Sequence, residues 1–144
     1  MEYNIEKINQ IGKMLVEVIE QAVGQTEVES IRIGNIEMAL RENLLAIGQS
    51  ALKQFLENAD GELEAEIECV CGGKLKYQRR RAATIWSVFG KVVYKRAYYA
   101  GCTCQKGCAP VDRRYGIEAG KVTAGLAHLI ALSGIKESFD EGRK

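Results

Sequence analysis

Residues 69–104 read CVCGGKLKYQRRRAATIWSVFGKVVYKRAYYAGCTC, and this stretch decides the architecture. It is bounded by two close cysteine pairs, Cys69 with Cys71 and Cys102 with Cys104, and the residues between them are β-branched, aromatic and basic. Leu75 and Tyr77, then Thr84, Ile85, Trp86 and Val88, then Val92, Val93, Tyr94, Tyr98 and Tyr99 predict three short strands. Phe89-Gly90-Lys91 predicts the turn of a hairpin, because glycine takes the positive φ that a tight turn requires. On the last strand Lys91 and Lys95 share one face, and Arg96 shares the other with Val92 and Tyr94.

Two cysteine pairs on either side of a hairpin are what a zinc ribbon requires, since Zn²⁺ takes four thiolates in a tetrahedron and each pair supplies one edge. Each pair here encloses one residue where ribbons usually have two or more, which narrows the chelate. Cys108 is the fifth cysteine, so the second edge is either Cys102 with Cys104 or Cys104 with Cys108; the first choice mirrors Cys69 and Cys71 and is preferred. The plainer alternative is a set of reduced thiols acting as small apolar residues in a core, and the crowding of all five into residues 69–108 speaks against it. The expected metal is structural Zn²⁺. A catalytic ion would need an open position and usually histidine or carboxylate ligands, whereas the single His128 lies far along an apolar helical pattern with no triad partner. The cysteine pairs also lack the Cys-x-x-Cys helix context of a thiol redox protein.

Outward from this stretch the chain is helical. Ile5, Ile8, Ile11, Leu15, Val18, Ile19, Ala22 and Val23 recur at steps of three and four and predict a helix over about 4–23, stopped by Gly24. A second start signal lies in Thr26-Glu27-Val28-Glu29, with Ser30 or Asn35 as other N-cap choices, and Ile33, Ile36, Leu40, Leu44, Ile47, Ala51, Phe55 and Leu56 continue it to Asn58–Gly61. Residues 1–60 are therefore expected as an αα-hairpin, with stripes compatible with a homodimer through the N-terminal helices. An acidic linker spans 61–68, and the basic β module spans 69–114. Residues 115–144 form a helical segment from about Thr123 to Leu132, broken at Ser133-Gly134, with a new helix beginning at Ser138-Phe139. The fold class is α+β: a helical hairpin, a small zinc-ribbon-like antiparallel β module and a C-terminal helical segment.

The 144 residues carry 20 Lys or Arg and 19 Asp or Glu, and the balance conceals segregation. Residues 1–68 hold five basic against fourteen acidic side chains, net −9, and residues 69–114 hold eleven basic against Asp112, net +10. Mutual neutralisation within one fold would account for this. The stronger reading is a middle segment that faces an anion such as DNA. The residues expected on DNA are Arg79, Arg80, Arg81, Lys91, Lys95 and Arg96, contacting phosphates that orient a protein without reading sequence. Most of the interleaved aromatics are expected in the core. No uncharged apolar run approaches the roughly 20 residues needed to cross a bilayer, and MEYNIEKINQ lacks the features of a secretory signal, so a cytoplasmic, reducing location is expected.

From Cys71 onward the chain resembles the N-terminal region of the ISKra-type insertion-sequence transposases. The resemblance rests on Arg79-Arg80-Arg81, Thr84, Phe89-Gly90-Lys91-Val92, Tyr94-Lys-Arg96-Ala-Tyr98-Tyr99, the cysteine knuckle with Gly107, Pro110-Val-Asp112, Gly116 and Ser138-Phe139, and covers about residues 69–140. It implies a ribbon-like region and a helical segment that handle DNA ends, followed in that family by a DDE-type nuclease domain. The present sequence holds no such set of spaced carboxylates on an RNase H-like fold, so a DNA-binding fragment without catalytic activity is expected. The rival expectation is a stand-alone zinc-ribbon-like protein in which the metal only stabilises the fold and the acidic helices bind a protein partner.

Overall fold

The structure is a computed structural model and describes residues 4–24 and 32–141. Its elements in chain order are α1 (Ile5–Gly24), α2 (Ile33–Asn58), β1 (Glu66–Glu68), β2 (Lys74–Ser87), β3 (Gly90–Ala100), α3 (Pro110–Tyr115) and α4 (Ala124–Glu141). This is the expected α+β class. Two compact units divide the chain, one up to Ile47 and one from Gly48.

In the first unit, Asn4 accepts the Lys7 amide through its side chain at 3.0 Å and so caps α1. Leu15 is buried, whereas Ile5, Ile8 and Ile11 of the same stripe face solvent. Asn35 sits inside the first turn of α2 instead of capping it, and Arg32 supplies the carbonyl that its amide meets at 2.9 Å. The candidate caps Thr26 to Ser30 lie outside the described residues.

In the second unit the three strands form one antiparallel sheet in the order β1-β2-β3. The two segments expected as separate strands before the turn are a single strand: the arginine run pairs along its length with β3, Arg79 opposite Tyr98, Arg80 opposite Ala97 and Arg81 opposite Arg96. Cross-strand pairing supplies hydrogen bonds that local propensity does not register, so a polar run is carried as strand. The third strand comes from 61–68, expected as linker, where Glu66 pairs with Lys76 and Glu68 with Lys74. Glu66 also forms an ion pair with Lys74 at 3.3 Å. At the hairpin tip Gly90 has φ +100, and Ser87 Oγ accepts the Phe89 amide and donates to the Gly90 carbonyl.

The register shift between Tyr77 and Arg79 is a bulge in β2, after which its odd-numbered side chains lie on the other face of the sheet. Toward the tip, Ala83, Ile85, Val92 and Tyr94 face one way and form a core with Leu56 and Val111. Toward the cysteines, Leu75, Ala97 and Tyr99 face the other way and form a second core with Cys69 and Cys102. Arg96 and Ala97 are consecutive and both buried, which marks the crossover. Each half of the hairpin therefore exposes the face that its other half buries.

The outer edge of β3 is closed by acceptors from the end of α2 and the turn after it. Glu57 accepts the Lys95 amide at 2.9 Å, Asp60 accepts the Ala97 amide at 2.7 Å, and beyond them Cys108 exchanges two backbone hydrogen bonds with Tyr99. Two carboxylates at and just after the end of α2 thus serve as edge caps. On the other side, residues 120–123 run along the tip half of β2, with Trp86 bonded to Lys121 and Thr123. Helix α3 is an element the sequence reading lacked; Pro110 at its start and Gly116 in the left-handed region just past its end are the signals that mark it. Helix α4 continues through Ser133-Gly134 without a break. One interior glycine costs about 1 kcal/mol against alanine, and the Ser133 hydroxyl is satisfied by the Leu129 carbonyl at 3.0 Å. Thr123 caps this helix through Leu126, and His128 is exposed on it.

Candidate metal centre

The sulfurs of Cys69, Cys71, Cys102 and Cys104 all lie within 4.8 Å of one another, at the end of the hairpin away from its tip. The shortest approaches cross between the two knuckles: Cys69 Sγ to Cys104 Sγ at 3.5 Å and Cys71 Sγ to Cys102 Sγ at 3.2 Å. Four thiolates at about 2.3 Å from a tetrahedral centre stand about 3.8 Å apart. The observed set needs only small shifts to reach that arrangement, and these four cysteines can hold a metal ion.

Glycine explains why one intervening residue suffices. In the first knuckle the Cys69 amide bonds to the Gly73 carbonyl at 2.8 Å and the Gly72 amide returns to the Cys69 carbonyl at 2.9 Å, with Gly72 at φ +85. A Cβ on Gly73 would lie 2.6 Å from Cys102 Sγ, so only glycine admits that sulfur. In the second knuckle Gly101 at φ +97 and Gln105 at φ +59 turn the chain back, and the Gln105 amide meets the Cys102 carbonyl at 2.9 Å.

The thiols differ sharply. Cys102 is drawn down to about 6 by the Cys104 backbone amide and then by the thiol of Cys71. For Cys71 the Gly73 amide pulls downward, but the thiols of Cys102, Cys69 and Cys104 together outweigh it and push the group up to about 12. One negative sulfur is thus held by a ring of S–H and N–H donors, the charge distribution a cation would take over. Cys108 stays outside the cluster, and burial pushes its thiol up.

The six expected cationic contacts separate into three environments. Arg96 is withdrawn from the surface: its Nε and Nη2 donate to Asp112 Oδ2 at 2.9 and 2.8 Å, and Nη1 donates to the Arg81 carbonyl at 3.1 Å. Tyr94 completes this lock by donating to Asp112 Oδ1 at 2.6 Å, and burial, then the Asp112 carboxylate, keep its hydroxyl protonated. Arg80 is partly exposed and paired with the buried Asp60 at 3.0 Å. The other four are exposed and form no ion pair among the described residues. Arg79 and Arg81 lie on the solvent side at the cysteine half, Arg81 stacked 3.8 Å above the Tyr98 ring. Lys91 and Lys95 lie on the opposite side at the tip half. Tyr98 is held in turn against Gly107, where a Cβ would overlap its hydroxyl.

Two features were not read from the sequence. Trp86, counted among aromatics expected mostly in the core, is 47% exposed, and nothing in strand periodicity distinguishes it from Tyr94 or Tyr99. The Asp112 lock was foreshadowed only by an acidic residue shortly after Pro110. Comparisons with protein-family models, with curated proteins and with solved structures each found no match. No described helix is long and apolar enough to cross a membrane.

Proposed function

We propose that residues 48–141 are a zinc-held DNA-binding module, of the kind that the resemblance to ISKra-type transposases implies. One observation supports it most: the four-sulfur cluster anchors a hairpin whose two open faces carry Arg79, Arg81, Lys91 and Lys95 without acidic partners among the described residues. Zn²⁺ suits four thiolates in a closed tetrahedral set, and with every position filled by protein it would stabilise the fold rather than activate water. The chain's part in transposition would then be binding, with strand cleavage supplied elsewhere. Self-association through the solvent-facing stripe of α1 belongs to the same proposal, and sedimentation returning only a monomer would remove it.

Phosphate contacts by four cations imply that the logarithm of the binding constant falls with the logarithm of salt concentration at a slope of about −3 to −4. Anisotropy of a labelled duplex across a salt series reads this directly. Reversing Arg79 and Arg81 to Glu should weaken binding tenfold or more on every sequence alike and flatten the slope by about 2. Absent binding, or binding indifferent to salt, would overturn the proposal and favour a protein-interaction role.

A further inference from the structure

Resting on the reading that this module binds DNA, we infer that the tip half of the sheet is a platform for single-stranded DNA, with Trp86 as the surface on which an unpaired base stacks. With the tip-half core of Ala83, Ile85, Val92 and Tyr94 on the opposite face, Ala82, Thr84, Trp86, Lys91, Val93 and Lys95 share one open face. Trp86 and Val93 are about half exposed there, at 47% and 45%. Such exposure is wasteful for folding, since a large apolar side chain stabilises a fold when it is buried.

The surroundings say what covers it. Lys91 is the direct cross-strand partner of Trp86, and its ammonium stands 6.0 Å from the ring centroid. Lys95, four residues along the same strand and so about 13 Å away, closes the row. Neither lysine has an ion-pair partner among the described residues, and Glu57 at the edge of β3 accepts the Lys95 backbone amide. Between the aromatic ring and Lys95 the floor is made of the small side chains Ala82 and Thr84. An apolar protein partner would leave two ammonium groups unpaired at the contact. A polynucleotide strand offers both complements at once, a π-face for the indole and phosphates for the lysines.

Duplex DNA cannot use this ring, since its bases are stacked on one another inside the helix. Unpaired bases can, and stacking on an aromatic side chain is tolerant of sequence. Discrimination between strands and duplexes therefore resides in Trp86, while Arg79 and Arg81 on the opposite side contribute to both through phosphate.

Trp86 is the single tryptophan of the chain, so intrinsic fluorescence reports this site alone. The test titrates full-length, metal-loaded protein with an oligo-dT strand and with a duplex of the same length, following tryptophan emission and, with labelled DNA, anisotropy. The expected result is quenching by the single strand and not by the duplex. Trp86→Ala should lose roughly ten- to a hundredfold in single-strand affinity with duplex affinity unchanged, and Trp86→Phe should recover most of the loss. Duplex and single-strand binding that both survive in Trp86→Ala, with emission unmoved in the wild type, would overturn this inference and leave the DNA-binding proposal standing. Equal losses on both DNAs would overturn it too, by making Trp86 a support of the fold. Failure of the wild type to bind either DNA would overturn both.

Discussion

The two halves of one hairpin are stabilised by different means. Toward the tip, β2 and β3 bury Ala83, Ile85, Val92 and Tyr94 against Leu56 and Val111, and the buried Arg96–Asp112 pair ties β3 to α3. Toward the cysteines the same strands bury Leu75, Ala97 and Tyr99 on the opposite face against the cysteine knuckles. The tip half needs no ligand, since each fully buried aliphatic side chain contributes about 1.5 to 3 kcal/mol. The cysteine half places four mutually repelling thiolates at its centre once they ionise, and only a cation resolves that repulsion. One chain is thus held by apolar packing at one end and carries, at the other, four sulfurs that can hold a metal ion.

The largest difference between the halves should follow from removing two of the four clustered sulfurs. Cys71→Ser with Cys104→Ser should unfold residues 66–76 and 97–108 while the tip half and α2 persist, because the binding energy of a structural metal is folding energy. Amide hydrogen exchange reads it: protection should vanish at Tyr99 and remain at Val92. Uniform protection across both halves would show that the cysteine half stands without metal.

Next in size is the tip half's own polar lock. Asp112→Ala leaves the Arg96 guanidinium buried without its carboxylate and Tyr94 without its acceptor, and should cost about 3 to 5 kcal/mol. Thermal melting of the metal-loaded protein measures this. A loss below 1 kcal/mol would mean that Arg96 finds water or another acceptor.

The smallest effect concerns pH in the metal-free protein. Cys102, lowered from the ordinary 9.0 to about 6, contributes stability that is present above pH 9 and lost as pH falls through 6. Cys71, raised from 9.0 to about 12, contributes stability that is present below pH 9 and lost as pH rises through 12. Whatever structure the cysteine half keeps without metal should therefore be most stable near pH 9 and weaken in both directions, with the tip half unaffected. Replacing Cys102 by Ser should abolish the acidic limb; an acidic limb that survives this change would assign it to another group.

Much of this was legible in the residues. Three-and-four spacing placed α1 and most of α2, Phe89-Gly90-Lys91 placed the turn, and the paired spacing of Cys69, Cys71, Cys102 and Cys104 selected the four sulfurs that meet. These signals are local: helix periodicity, a positive φ and chelate spacing are properties of neighbours in the chain. Where the residues misled, the deciding partner was distant. The arginine run became strand because β3 lies beside it, and 61–68 became β1 because β2 offered an edge. Gly134 stayed helical because a single glycine's cost is smaller than that of ending a helix.

Neighbours along the chain fix the inventory: helices at both ends, a hairpin between two thiol pairs, and a concentration of positive charge. Which side of the sheet is covered, and so which charges face solvent, depends on long-range packing. The core changes face between Arg96 and Ala97, so Arg96 is buried with Asp112 and Trp86 is left in the open beside Lys91, on the face that Lys95 shares. Strand periodicity assigns residues to alternate faces, but it carries no information about which face the rest of the chain will cover.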